Sequence, residues 1–124
     1  EFRRVLFRSR LDWAGFFTYS AEAGTAAASM GDTVDPTLAG ERLRECSEVQ
    51  DPITAAARAA LVGETVEVLV DRVGSAGAVG RTHREAPEID GVVRIAGIDP
   101  RPGATLTARV TGAVGPDLEA EAVR

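Results

Sequence analysis

The chain contains no lysine; all 14 of its basic residues are arginine. It has one cysteine, Cys46, one histidine, His83, and single residues of Trp, Tyr and Met. A lone cysteine cannot close an internal disulfide, and it cannot by itself hold a metal ion or an iron–sulfur cluster. No apolar run approaches the roughly 18 residues of a membrane span. The first ten residues are basic, but neither a long apolar core nor a small-residue cleavage site follows, so they do not read as a signal peptide. These absences set the expectation of a cytoplasmic protein with no membrane partner.

Aromatic residues are also missing from most of the chain. Every Phe, Tyr and Trp lies before residue 20. Barrels that bind single-stranded RNA use aromatic stacking together with a basic groove. Neither is on offer here: residues 61–124 carry seven Arg against ten acids. Residues 11–60 are acidic as well, and all the positive balance sits in residues 1–10, which carry four Arg and one Glu. An acidic body suits a basic protein partner better than a phosphate backbone. That first segment, EFRRVLFRSR, matches nothing after it in charge or composition. It is expected to be adapter- or vector-derived, the alternative being a native amphipathic segment truncated at its start.

What is present divides into three stretches. The length of 124 residues allows one domain, or a small domain with pieces of another. Residues 11–19, LDWAGFFTY, read as a short buried strand, and SAEAGT as a loop with Gly24 at a tight turn. Asp35-Pro36 is a helix start, with Asp as N-cap and Pro at the first helical position. Ala39, Leu43, Cys46 and Val49 then recur at steps of four and three, the stripe of an amphipathic helix. Cys46 reads as a small buried apolar residue of that stripe. Asp51-Pro52 repeats the start signature, and a proline inside a helix costs about 3 kcal/mol. A kink or restart is therefore expected at Pro52, with the helix stopping near Gly63.

From Glu64 the period changes to two. Val66, Val68 and Val70 alternate with Thr65, Glu67 and Asp71. GSAG is a hairpin loop after which AVGRTHR resumes as a second strand, EAPEIDG is a loop, and VVRIAG, ATLTARVTGAV and LEAEAV are the third, fourth and fifth strands. Five short strands in about 60 residues point to a small closed antiparallel barrel of the OB type, which leaves no sheet edge unprotected.

Together these stretches resemble a known family. FFTYSAEAGTAAASM, a linker helix bearing ERLRE, and a barrel containing GRTHREAPEIDG resemble the C-terminal end of the radical-SAM methylthiotransferases. The pattern Tyr19, Ser20, Gly24, Thr25, Ala27 is similar to the last part of that family's radical-SAM barrel. The pattern Gly80, Arg81, Ala86, Pro87, Glu88, Ile89, Asp90, Gly91 is most similar to its RimO-type branch, whose enzymes methylthiolate the β-carbon of an aspartate in small-subunit ribosomal protein S-twelve. The resemblance covers residues 11–124. It implies that residues 11–34 end a truncated α/β radical-SAM domain, residues 35–62 form a helical linker, and residues 63–124 form a TRAM domain. It also implies two [4Fe-4S] clusters and S-adenosyl-L-methionine in the full-length enzyme. The cluster motif, Cys-x-x-x-Cys-x-x-Cys, and the three further cysteines are absent here. This stretch is expected to bind neither cofactor and to be inactive alone.

No catalytic residue and no metal ligand is assigned. The candidate substrate-binding residues are Arg81, His83, Arg84, Glu88 and Asp90. Arg81, His83 and Arg84 read as a recognition edge or an ordinary strand end. Glu88 and Asp90 read as an acidic docking loop or as turn chemistry, with Asp90-Gly91 closing a tight turn. Tyr19, Ser20, Gly24 and Thr25 are placed on the rim loop of the radical-SAM domain, since barrel active sites gather at that rim. The expected partners are the basic ribosomal protein and the missing N-terminal domains. Two other readings are a tRNA methylthiotransferase, which predicts a more basic barrel, and a free-standing RNA-binding module, which needs no strand before the linker.

Overall fold

The computed structural model describes residues 1–123. The chain divides into two compact units, Glu1–Ile53 and Thr54 onward. The division falls one residue after Ile53's neighbour Pro52, which stands inside a helix.

The first unit holds α1, Phe2–Ser9, a single 3-10 turn, Ala27–Ser29, and most of α2, Pro36–Ala59. Helix α1 buries Leu6 and ends at Arg10, which adopts a left-handed conformation. Arg3 pairs with Glu45 at 3.0 Å, and the rings of Phe2 and Phe16 meet edge to face at 6.3 Å. Asp35 caps α2 as expected: its Oδ1 accepts the N–H groups of Thr37 at 2.9 Å and Leu38 at 3.3 Å. The stripe of Ala39, Leu43, Cys46 and Val49 is half-buried, and Gln50 donates to the Leu11 carbonyl at 2.7 Å.

One expectation needs correction in this unit, and of the kink or restart expected at Pro52 one alternative falls. Residues 11–20 form no strand. The segment is irregular and mostly exposed, with Phe17 91% and Tyr19 58% accessible. A strand is defined by its ladder, and no strand among the described residues of this unit offers one. The helix also does not restart at Pro52: α2 runs as one element of 24 residues through it. Proline removes only its own N–H, so the Glu48 carbonyl loses its donor while the turns on either side keep their own bonds.

The second unit is a closed five-stranded barrel: β1 Thr65–Gly74, β2 Gly77–Arg81, β3 Val93–Ala96, β4 Thr105–Val114 and β5 Asp117–Ala122, in the order β1-β2-β3-β5-β4. The alternation read from the sequence puts Val66, Val68 and Val70 inside, where they meet Ala78, Val93, Ile95, Ala108, Val110, Leu118 and Ala120. Valine, alanine, Ile95 and Leu118 fill this interior, as side chains fill the inside of any small barrel. The barrel is not wholly antiparallel: β3 and β5 pair in parallel through Val93–Leu118, Arg94–Glu119 and Ile95–Ala120. Parity requires this. Strands that alternate in direction around a ring of odd number must leave one neighbouring pair aligned. Bulges interrupt the pairing between Val70 and Arg72 and between Val110 and Gly112, bending the two long strands so that the sheet closes. The chain passes from α2 into the barrel through reciprocal bonds. The Gly63 N–H donates to the Val110 carbonyl at 2.8 Å, and the Val110 N–H to the Glu64 carbonyl at 2.9 Å.

Candidate functional site

The connection between β2 and β3 is the part of the barrel that sequence motifs single out. It begins at Thr82, and the structure builds it around one buried carboxylate. Glu85 is wholly enclosed, with a side-chain exposure of 0%. Its Oε2 accepts the Thr82 N–H at 2.6 Å and the Thr82 hydroxyl at 2.7 Å, and its Oε1 accepts from Arg58 Nη1. Arg58 stands in the last turn of α2 and is itself only 4% exposed. The Thr82 hydroxyl also accepts the Arg84 N–H at 3.1 Å. One acid thus ties the start of the loop to itself and to the helix end.

Beyond Glu85 the loop closes a second turn. Asp90 Oδ2 accepts the Ala86 N–H at 2.7 Å, and the Asp90 N–H reaches back to the Ala86 carbonyl at 3.4 Å. Between them Glu88 takes a left-handed conformation, φ 63°, unusual for a residue with a side chain. Glu88 is exposed and Ile89 is 81% exposed. The chain then returns at Gly91, where a Cβ would lie 2.0 Å from the Pro116 carbonyl oxygen, so only glycine passes. Asp117 secures the far side, its Oδ1 accepting the Val92 N–H at 3.0 Å and its Oδ2 pairing with Arg94 at 2.8 Å.

The predicted residues therefore separate by role. Arg81 pairs with Asp71 on the neighbouring strand at 2.9 Å and does not join the others. His83 and Arg84 are exposed and line a cleft of about 440 Å³ with Leu61, Glu64, Val66 and Glu67. The cleft brings both signs of charge beside the aliphatic side chains of Leu61 and Val66. Asp90 serves the turn, and Glu88 with Ile89 forms the outward tip. In the first unit, Gly24 has φ 85°, as a tight turn needs. Thr25 donates its hydroxyl to the Glu22 carbonyl at 2.8 Å and accepts the Ala28 N–H at 3.3 Å. Tyr19 and Ser20 are exposed.

Arg58, Thr82 and Glu85 escaped the sequence reading. Two signals were available. Thr82-His83-Arg84-Glu85 has the spacing of a capping box, in which the acid three residues on reaches back to the first residue's N–H. Arg58 is the one charge in the run ITAAARAALV.

Comparison with known proteins decides the family. The TRAM domain profile matches residues 62–123, half the chain. The chain belongs to the TRAM-domain family. Among its curated relatives are proteins named ribosomal protein uS12 methylthiotransferase RimO. That of Thiobacillus denitrificans is 42% identical over 124 residues, taking in 99% of this chain and 28% of the relative. That of Desulforudis audaxviator is 45% identical over 112 residues, 90% of this chain and 25% of the relative. That of a Synechococcus strain is 40% identical, covering 95% and 26%. These relatives match the RimO-type resemblance carried by the sequence motifs. The chain spans about a quarter of their length. A solved multidomain protein with nucleic acid binding domains from Streptococcus pneumoniae is 23% identical over 52% of this chain and 23% of that one, with a TM-score of 0.41, too low to say what this TRAM barrel binds.

Among the described residues no group of three His, Cys, Asp or Glu is placed to hold a metal ion. Cys46, half-buried on α2, is a single thiol where a cubane cluster needs three or four. The residues present do not fit an iron–sulfur cluster, and no chemical step is assigned to them. No helix among the described residues is long and apolar enough to cross a membrane.

Proposed function

We propose that this chain is the C-terminal region of a cytoplasmic radical-SAM methylthiotransferase acting on ribosomal protein uS12, and that its TRAM barrel docks the protein substrate. Kinship supports the enzyme: the relatives named RimO align over 90% or more of the chain. One observation carries the docking role. The β2–β3 loop is held by buried and turn hydrogen bonds, yet it turns Ile89 81% into solvent beside Glu88. An exposed aliphatic side chain on a fixed loop serves a protein contact and does nothing for a phosphate backbone. Glu88 and the net acidic barrel complement a basic ribosomal protein, where charge sets orientation and on-rate more than affinity.

In this reading the two [4Fe-4S] clusters and S-adenosyl-L-methionine belong to the remaining three quarters of the enzyme, and the present stretch alone is inactive. Its part is to hold the substrate while other domains do the chemistry. The direct test is to sequence the source DNA upstream of the Leu11 codon. The reading expects an in-frame radical-SAM domain with its Cys-x-x-x-Cys-x-x-Cys loop. A stop codon followed by a genuine start before Leu11 would make this a stand-alone barrel and remove the enzyme assignment.

A further inference from the structure

We infer that Glu85 is a positioning residue: through Arg58 it fastens the β2–β3 loop to the last turn of α2 and thereby sets how Glu88 and Ile89 are presented. What the tip contacts rests on the docking role proposed above; the fastening itself does not.

A buried ion pair with both side chains more than 95% enclosed is seldom placed in a small domain for stability alone, since desolvation offsets most of its attraction. Its value here is geometric. Glu85 has three donors from two elements, two from Thr82 and one from Arg58. The Thr82 bonds only curl the loop onto itself. Arg58 is the member that reaches another element, 27 residues away in sequence. Of the remaining loop bonds, Asp90 to Ala86 and the carbonyl of Ala86 to the N–H groups of Ile89 and Asp90 are internal to residues 86–90, and Val92 reaches outward, to Asp117 and Leu118, where the loop enters β3. Cutting the Arg58 tie would leave the loop anchored to the barrel only at its two strand ends.

The test is amide hydrogen exchange, read residue by residue by NMR on the full 124-residue chain. In R58M/E85Q the Gln oxygen still accepts both Thr82 bonds, the Glu85 charge goes together with its cation, and the tie to α2 is lost. Exchange at the hydrogen-bonded loop amides of Arg84, Ala86, Ile89 and Asp90 is expected to accelerate at least about tenfold, while Val68, Val93 and Val110 stay protected. Arg58→Lys keeps a cation opposite Glu85 and is expected to restore most of the loop's protection. Unchanged loop exchange would overturn the inference. So would exchange or unfolding that spreads to the strands, because the pair would then be a pillar of the barrel rather than a fastening of its loop. Equal loss of protection in R58K and R58M/E85Q would overturn the ionic tie. None of these results depends on uS12. A wild-type chain that ignores uS12 but passes the exchange test would sink the docking role alone.

Discussion

Removing Arg58 alone should be far more damaging than removing Arg58 and the charge of Glu85 together. In Arg58→Met the carboxylate of Glu85 stays enclosed at 0% exposure, with only the two Thr82 donors left. Breaking one side of such a pair costs about 3–5 kcal/mol. A compact unit of about 70 residues is stable by only about 3.5–10 kcal/mol, at roughly 0.05–0.15 kcal/mol per residue. The single substitution thus removes a large share of the total and lowers Tm by about 12–24 °C or more, at roughly 4–8 °C per kcal/mol. Glu85→Gln leaves the guanidinium buried opposite an amide and should also be costly. R58M/E85Q contains no buried charge, so its loss should fall well short of the sum of the singles. The coupling energy should be about 2–3 kcal/mol. Urea unfolding followed by far-ultraviolet circular dichroism is the suitable assay, because no Trp, Tyr or Phe follows residue 19 and the barrel has no fluorophore of its own. Additivity within about 0.5 kcal/mol would refute the reasoning, since residues that do not interact behave that way.

Three further outcomes are expected. Leu118→Ala, at a 0% exposed position inside the barrel, should destabilise by about 2–5 kcal/mol in the same urea assay. Gly91→Ala should cost at least about 1–3 kcal/mol, because its methyl would meet the Pro116 carbonyl oxygen at 2.0 Å; thermal unfolding of the variant checks this. Pro52→Ala should stabilise α2 by up to about 3 kcal/mol by restoring a donor to the Glu48 carbonyl, seen as greater helical ellipticity at elevated temperature.

How much of this was legible in the sequence depends on where each element finds its partners. The barrel strands were readable because apolar residues at every second position have one burial solution, and five strands appear in the expected order, although the second stops at Arg81 rather than running on through Arg84. The parallel β3–β5 pairing was implicit in the strand count but invisible to local periodicity. Residues 11–19 have strand composition, but a strand needs a neighbour and the first unit contains no sheet. Pro52 shows the opposite limit, where local propensity argues for a break and the surrounding turns carry the helix through. Within the candidate site, Asp90 was read as turn chemistry or as docking; its side chain closes a turn back onto Ala86 rather than one at Asp90-Gly91. Arg81 was grouped with His83 and Arg84 by adjacency, yet strand alternation and Asp71 direct it elsewhere. The burial of Glu85 was hidden because its strongest partner lies 27 residues away.

The docking role stands or falls on a comparison of two partners. Binding of the 124-residue chain to purified uS12 and to tRNA should be measured by biolayer interferometry at moderate salt, with Glu88→Lys alongside. The account predicts weak, saturable binding to uS12, slower association for Glu88→Lys with the barrel still folded, and hardly any binding to tRNA. Tight tRNA binding that weakens steeply with added salt, with no response to uS12, would contradict it.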